Sequence, residues 1–362
     1  MIKYLGSKRR LVPVIAAVAA ALRPARALDL FCGTTRVAQC LKAGRARVTA
    51  VDATRCAHLL ARTYVETDGA TVDGAELRGL LAHLASRPGV DGYVTDVFCR
   101  RARFFHPDNG RRIDAVLAEL GGPLASHPLR PIALTALIEG ADRVDSTTGV
   151  QMAFLKEWAP RAHRPLELRA PALLPGEGRA VRGDAAHLGG RLGSFDLAYL
   201  DPPYNQHRYD ANYHVWETII AGDQPSHYGV ACKRSDLRDA TTRSAFNSRR
   251  TMPAALAATL AALDAEVVLV SHSDEAWVAL DDLLAWCSRF GAARALAFES
   301  ARDVGARIGV HDPAGRRVGE PGRLRNVEYL VVAGPGPAVD TAVAAALAAR
   351  PLGATAPAVL AR

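Results

Sequence analysis

The chain has 362 residues, 49% of them hydrophobic and 23% charged, a composition typical of a globular protein with one large domain or two modest ones. No apolar stretch reaches the roughly 18 residues that a membrane-spanning helix needs, so we expect a soluble, cytoplasmic protein. The 45 Lys and Arg residues exceed the 37 Asp and Glu residues, and the formal net charge of +8 predicts attraction to a polyanion such as nucleic acid, although an arginine-rich solvated surface would give the same total.

The first thirty residues allow two interpretations. The basic triplet at 8–10 precedes an apolar run at 11–22, a pattern that imitates a secretory signal with a cleavage site at Ala25-Arg26-Ala27. Cleavage there would remove a Gly-Ser-Lys loop and leave the chain starting at its first strand. We therefore expect an amphipathic first helix that stays in the protein.

A predicted strand at 27–31 leads through a glycine turn at 32–35 into a helix, and a second predicted strand at 48–52 ends in Asp52. An acidic residue at the end of the second strand is usually where a ribose diol is held. The turn contains only Gly33, whereas a dinucleotide enzyme would show Gly-x-Gly-x-x-Gly. A nucleoside without phosphates, such as S-adenosylmethionine, fits this unit better than a dinucleotide, and a generic β-α-β turn with a surface aspartate is the alternative.

Residues 78–178 lose the alternation of buried strand and helix, which predicts an inserted lobe. The lobe carries several arginines around Phe104 and Phe105 and a polar run at 142–149.

The strand pattern returns at 180–184, which ends in Asp184, and at 195–200, which leads directly into Asp-Pro-Pro-Tyr at 201–204. Prolines cannot donate backbone hydrogen bonds, so this loop presents a carboxylate, carbonyl acceptors and an aromatic ring. Such a loop suits an exocyclic amine, because acceptors on the two hydrogens of adenine N6 help its lone pair to localise. An ordinary tight turn is the alternative, but ligands in open α/β sheets bind where such strands end.

The remaining chain predicts three more strands, at 267–270, 293–298 and 327–333, with helices at 253–263 and 275–286. Beyond residue 335 we expect one short helix at 340–349 in an otherwise mobile tail rich in Ala, Gly and Pro. The predicted parts are a cofactor-binding part (1–77), an inserted lobe (78–178), a catalytic part (179–335) and the tail (336–362).

Cysteines and histidines show no metal-binding spacing, so we expect no metal and free thiols in a reducing compartment. The cysteines are Cys32, Cys40, Cys56, Cys99, Cys232 and Cys287.

Four stretches in this order resemble the D12 class of DNA adenine-N6 methyltransferases, the group that includes the Dam-type enzymes. They are Ile-Lys-Tyr-Leu-Gly-Ser-Lys at 2–8, Asp-Leu-Phe-Cys-Gly at 29–33, Asp52, and Asp-Pro-Pro-Tyr at 201–204. The resemblance implies an α/β, Rossmann-like methyltransferase fold with a seven-stranded, mostly parallel sheet, S-adenosylmethionine as cofactor and double-stranded DNA as substrate. One departure is Thr35, where the family often has a second glycine.

The resemblance also implies residue roles. The cofactor-binding set is Tyr4, Gly6, Lys8, Phe31, Gly33, Asp52, Asp184 and Asp201. The catalytic set is Asp201, Pro202, Pro203 and Tyr204, in which Asp201 and the Pro202 carbonyl accept the amine hydrogens of a flipped adenine and Tyr204 stacks on its ring. The inserted lobe would recognise the target sequence, with 100–112 and 141–148 as candidate segments.

A second candidate DNA surface is the basic segment 233–250, whose position after the catalytic strand suits a loop that clamps phosphates, with a solvated linker as the alternative. The candidate DNA contacts are Lys233, Arg234, Asn247, Arg249 and Arg250, with Arg101 and Arg103 from the lobe. Three nearby aromatic residues either wall the pocket for the flipped base or pack in the core: Tyr209, Tyr213 and Trp216.

Two other functions stay open. Loops of this type also serve RNA bases, at adenine N6 or guanine N2, and a catalytically idle DNA-binding module could keep the fold. For a site-specific DNA methyltransferase, a restriction endonuclease that cuts the same site would be a natural partner.

Overall fold

A computed structural model describes residues 2–4, 6, 8–203, 208–239, 243–301, 310–311, 317–319, 325–353, 355 and 358–360. Its strands are β1 (Arg26–Leu30), β2 (Arg47–Asp52), β3 (Gly178–Arg182), β4 (Ser194–Leu200), β5 (His227–Tyr228), β6 (Lys233–Arg234), β7 (Asp264–Ser273), β8 (Ala292–Ala301), β9 (Val310–His311), β10 (Arg317–Gly319), β11 (Arg325–Gly334) and β12 (Ala358–Leu360). Its α-helices are α1 (Val12–Leu22), α2 (Arg36–Ala43), α3 (Arg55–Ala61), α4 (Gly74–Ser86), α5 (Pro107–Gly121), α6 (Arg130–Arg143), α7 (Ala185–Leu188), α8 (Tyr209–Asn212), α9 (His214–Ala221), α10 (Met252–Ala262), α11 (Leu280–Cys287) and α12 (Gly336–Ala348).

Within the described residues the main sheet has eight strands, in the order β12-β8-β11-β7-β4-β1-β2-β3. The five strands from β7 to β3 run parallel, whereas β11 is antiparallel to both of its neighbours and β12 is antiparallel to β8. The seven predicted strands are all present, and the eighth is the short edge strand β12. The predicted Rossmann-like α/β fold is therefore confirmed, with one strand more than expected.

The sheet is covered on both faces because its strands are apolar on both sides. In β4, Leu197 and Tyr199 belong to a core shared with α1, α2 and α12, whereas Ala198 and Leu200 belong to a core shared with α10 and α11. The strand order reverses between β1 and β4, which lie side by side. Such a reversal opens a crevice at the carboxyl ends of the two strands.

Between β2 and β3 the chain is described without a gap, and from 62 to 177 it contains helices α4 to α6 and two π-helical segments, Arg62–Glu66 and Val94–Arg101, but no strand. This strand-free stretch includes nearly all of the lobe predicted at 78–178 and begins before it. Its core also includes residues of α3 and α9, so the lobe is packed against the cofactor half of the sheet. Phe104 and Phe105 are each 1% exposed. The rings inside the arginine cluster thus stabilise the lobe and are not available to stack on DNA.

Helices α1 and α12 pack against each other on the outer face of the sheet. Val339, Ala342 and Ala346 of α12 are buried in the same core as Val14 and Val18 of α1. The expected first helix is present, but all of its residues are apolar, so it is not amphipathic. The helix predicted at 340–349 is longer and starts earlier. The expectation of a mobile tail is wrong for α12, because its apolar side is part of the core.

Among the described helices, none is both long and apolar enough to span a bilayer. The six cysteines are free thiols, as predicted.

Candidate functional site

A cavity of about 340 Å³ opens where β1 to β4 end, within the size range of small-molecule sites. Every residue of the predicted cofactor-binding set lines it: Tyr4, Gly6, Lys8, Phe31, Gly33, Asp52, Asp184 and Asp201. Pro203 also lines it, whereas Pro202 is not among the lining residues. Tyr204 lies outside the described residues.

The turn after β1 depends on left-handed backbone at alternate positions. Phe31, Gly33 and Thr35 have φ angles of 72°, 47° and 61°. A Cβ atom at Gly33 would lie 3.2 Å from Cε1 of Tyr4, so the glycine also allows close approach of that ring. Thr35 adopts the backbone that a second glycine would favour, and its hydroxyl donates to the Thr34 carbonyl (2.7 Å). Thr35 therefore differs from the family's second glycine in its side chain, whereas the backbone of the turn keeps the left-handed conformation that a glycine would adopt.

Asp52 ties the end of β2 to this turn. Its Oδ2 accepts the Gly33 N–H (3.0 Å), and its Oδ1 accepts the N–H and the hydroxyl of Thr54 (2.9 Å each). Burial raises the pKa of Asp52, while these hydrogen bonds lower it. The carboxylate is held in one orientation at the cavity wall.

Tyr4 forms an aromatic stack beside the turn. Its ring is 4.6 Å from that of Tyr213 and 5.1 Å from that of Tyr209, with interplanar angles of 11° and 14°. Tyr209 lines the cavity, whereas Trp216 is 1% exposed. Of the three aromatic residues predicted either to wall the pocket or to pack in the core, Tyr213 and Trp216 are core residues and Tyr209 lines the cavity. Tyr209 and Tyr213 both stack on Tyr4.

Lys8 and Asp201 form an ion pair at the crevice between β1 and β4. Lys8 Nζ lies 2.9 Å from Asp201 Oδ1, and the two side chains are only 8% and 18% exposed. The Asp201 N–H donates to the Leu30 carbonyl (3.3 Å), which fixes the end of β4 against β1. Burial raises the pKa of Asp201, and the Lys8 ammonium opposes that rise. An oriented acceptor with a tuned pKa is what the predicted chemistry requires.

Lys3 fastens the N-terminal loop to the lobe. Its N–H donates to Asp142 Oδ2 (3.1 Å), and its ammonium donates to Asp145 Oδ1 (3.0 Å) and to the Asp142 carbonyl. Arg161 also binds Asp145 Oδ1, at 3.0 and 2.9 Å. Burial raises the pKa of Asp142 to about 6, against the effect of Lys3.

These contacts correct one prediction. Most of the segment 141–148 is buried, including both aspartates and the following Ser146 and Thr147. Its polar side chains hold the lobe and the N-terminal loop together, and only Thr148 is exposed. It does not form a DNA-reading surface.

Arg234 also differs from its prediction as a phosphate contact. Its side chain is 7% exposed, and its guanidinium binds Asp223 with two 2.7 Å bonds and Asp236 with another at 2.7 Å. A buried guanidinium held by two carboxylates is a structural group. Lys233 precedes it in β6, which pairs with β5 in a small hairpin.

The rest of the basic segment divides in two. Asn247 lines the cavity together with Phe246, whose buried ring meets Phe31 edge-on at 4.9 Å. Arg249 and Arg250 are exposed. In the lobe, the exposed Arg101 pairs with Asp96 at 2.7 Å, and the exposed Arg103 donates to the Lys156 carbonyl.

Sequence reasoning missed several cavity residues besides Phe246, among them Glu217 and Arg36. Glu217 of α9 accepts the N–H groups of Arg55 (3.0 Å) and Cys56 (2.9 Å) and so caps the helix that follows Asp52. Arg36 lines the cavity from the first turn of α2. Glu217 contacts residues more than 160 positions away, which no local pattern indicates, whereas Arg36 adjoins the glycine turn and could have been suspected.

Comparisons with known proteins agree with this geometry. Residues 4–251 match the family model described as D12 class N6 adenine-specific DNA methyltransferase. The chain is 30% identical to the type II methyltransferase M.NlaIII of Neisseria lactamica, over 73% of this chain and 79% of that protein. It is 27% identical to the type II methyltransferase M.CviAII of Paramecium bursaria Chlorella virus 1, over 56% of this chain and 61% of that protein.

A further relative is longer than this chain. The modification methylase LlaI of Lactococcus lactis subsp. lactis is 30% identical over 43% of this chain but only 25% of that protein. No solved structure matches the chain significantly.

Proposed function

Because this chain belongs to the D12 class of N6 adenine-specific DNA methyltransferases, we propose that it binds S-adenosylmethionine in the cavity and transfers the methyl group to N6 of an adenine flipped out of duplex DNA. The observation that carries the proposal is the buried Lys8–Asp201 ion pair at the wall of a cavity lined by the whole predicted cofactor set.

The cavity suits a sulfonium nucleoside better than a phosphorylated one. Carboxylates line it at the ends of three strands, from Asp52, Asp184 and Asp201. Their negative charge attracts a sulfonium cation and repels phosphates. We assign the ribose to Asp52, by analogy with other nucleotide-binding folds, and the adenine of the cofactor to the side with Asp184 and Phe246.

Bound S-adenosylmethionine supplies an electrophilic methyl group. In the proposed reaction Asp201 accepts one hydrogen of the adenine amine, the Pro202 carbonyl accepts the other, and the N6 lone pair points at the methyl carbon. After transfer N6 loses a proton, and burial makes Asp201 a better acceptor for it. Stacking of Tyr204 on the flipped base remains part of this proposal.

The proposed function is tested with methyl-labelled S-adenosylmethionine. The protein is incubated with duplex DNA or with RNA, and the modified nucleoside is identified after digestion. We expect label in N6-methyldeoxyadenosine from DNA. Label in an RNA base would support the RNA alternative, and no label in either nucleic acid would support the idle DNA-binding module.

We infer that the exposed Arg249 and Arg250 contact DNA phosphates. Changing both to Ala should weaken duplex binding and reduce the slope of log K against log salt concentration by about 2, since each lost phosphate contact removes about one released counterion. The measurement is a fluorescence anisotropy titration at several salt concentrations.

A matched control removes two positive charges from a surface away from the proposed DNA contact. Arg26 and Arg47 are exposed at the first positions of β1 and β2, the sheet edge opposite the cavity. Their double Ala variant should keep the original salt slope. A slope unaffected by the Arg249 and Arg250 changes would favour the solvated-linker alternative.

A further inference from the structure

Arg36 contributes a cation to the cavity wall. It opens α2 directly after the glycine turn, and its side chain is half-buried. Its Nε is buried, and no described residue accepts a hydrogen bond from it. Across the described part of the chain, no carboxylate forms an ion pair with it. Burial and repulsion from Arg9 lower its pKa, whereas the charge of Glu139 raises it. The Glu139 carboxylate accepts a hydrogen bond from the Tyr64 hydroxyl at 2.5 Å.

A desolvated donor without an acceptor destabilises the protein, and an acceptor on a bound ligand would remove that cost. Three other cations on the same wall are engaged by the protein. Lys8 binds Asp201, Arg234 binds two aspartates, and Arg182 donates to the Ala53 carbonyl at 3.3 Å. Arg55, the first residue of α3, also lines the cavity.

We propose that Arg36 binds the carboxylate of the amino-acid end of S-adenosylmethionine, an inference that rests on the proposed function. With the ribose at Asp52, the amino-acid end of the cofactor extends along the turn at Gly33 toward the start of α2. A guanidinium there can grip a carboxylate through two parallel hydrogen bonds. Lys8 is the other cation that could bind this carboxylate, but Lys8 already forms an ion pair with Asp201.

The test compares two ligands that differ only in the carboxylate of the amino-acid end. Isothermal calorimetry measures the binding of S-adenosylmethionine and of decarboxylated S-adenosylmethionine to the full chain. The wild type should prefer the carboxylated ligand by about 10- to 100-fold, the range of a charge-assisted hydrogen bond. Arg36→Gln should bind the two ligands with nearly equal affinity, and Arg36→Lys should retain an intermediate preference.

Arg55→Gln is the matched control, because it removes the same charge from another cavity-lining residue. This variant can change both affinities but should keep the wild-type ratio between them. If Arg36→Gln retains the wild-type preference, or weakens both ligands equally, the assignment of Arg36 is wrong. The Arg36→Lys variant preserves the charge and provides the same comparison if the Gln variant does not fold. If the wild type binds neither ligand, the proposed function itself fails, and not only the role of Arg36.

Discussion

Asp201→Asn is expected to lower the rate constant for methyl transfer by about a thousandfold, the scale of losing a catalytic proton acceptor. The amide keeps the shape of the side chain but has no charge, and it turns either a donor or a weaker acceptor toward the adenine amine. The substitution also removes the charge that pairs with Lys8, whose Nζ lies 2.9 Å from Asp201 Oδ1. The measurement is single-turnover transfer of labelled methyl to duplex DNA, with Asp201→Ala as a second variant.

Asp196→Asn provides the control on the same strand. Asp196 lies near the start of β4 and accepts the N–H groups of Ala25 (2.7 Å) and Arg26 (2.9 Å), far from the cavity. That variant should transfer methyl groups at nearly the wild-type rate. A fast Asp201→Asn enzyme with a normal melting temperature would contradict the catalytic role assigned to Asp201.

Lys8→Met should move the acid limb of the pH–rate profile to higher pH. Burial already raises the pKa of Asp201, and Lys8 is the main group that opposes this. Without Lys8 the pKa rises further, so a smaller fraction of Asp201 is ionised at neutral pH and less enzyme can accept the amine hydrogen. We expect a loss of about 10- to 100-fold at neutral pH that is partly recovered as the pH is raised.

The measurement is the single-turnover rate across the neutral and alkaline range. Lys8→Arg keeps the positive charge and should leave the position of the acid limb nearly unchanged. A Lys8→Met profile that is lowered uniformly, with no shift along the pH axis, would show that Lys8 acts by holding the loop and not by tuning Asp201.

Much of this fold could be predicted because parallel strands covered on both faces appear in the sequence as short continuous apolar runs. The cofactor-binding residues could be placed for a related reason, because the carboxyl ends of parallel strands meet at one edge of the sheet. Asp52, Asp184 and Asp201 therefore converge at one cavity although they are far apart in sequence. The place of Tyr4 and Lys8 came from the family resemblance alone. No local pattern connects an N-terminal loop with a strand that ends almost 200 residues later.

The errors have a common physical cause. A run of charged residues indicates that a segment is polar, but it does not show which charges face each other across space. Arg234 belongs to a basic run, yet Asp223 and Asp236 enclose it. The polar run after α6 is buried because Lys3 and Arg161 neutralise it from distant parts of the chain.

Helix α12 determines how far the polypeptide can be shortened. The family match ends at residue 251, but β7, β8 and β11 and this helix all lie beyond that point. Deleting the helix would expose the valines of α1 to water and leave an apolar patch on the surface. The truncated enzyme would then aggregate for reasons unrelated to catalysis. Recombinant versions should therefore retain the chain at least through Ala348.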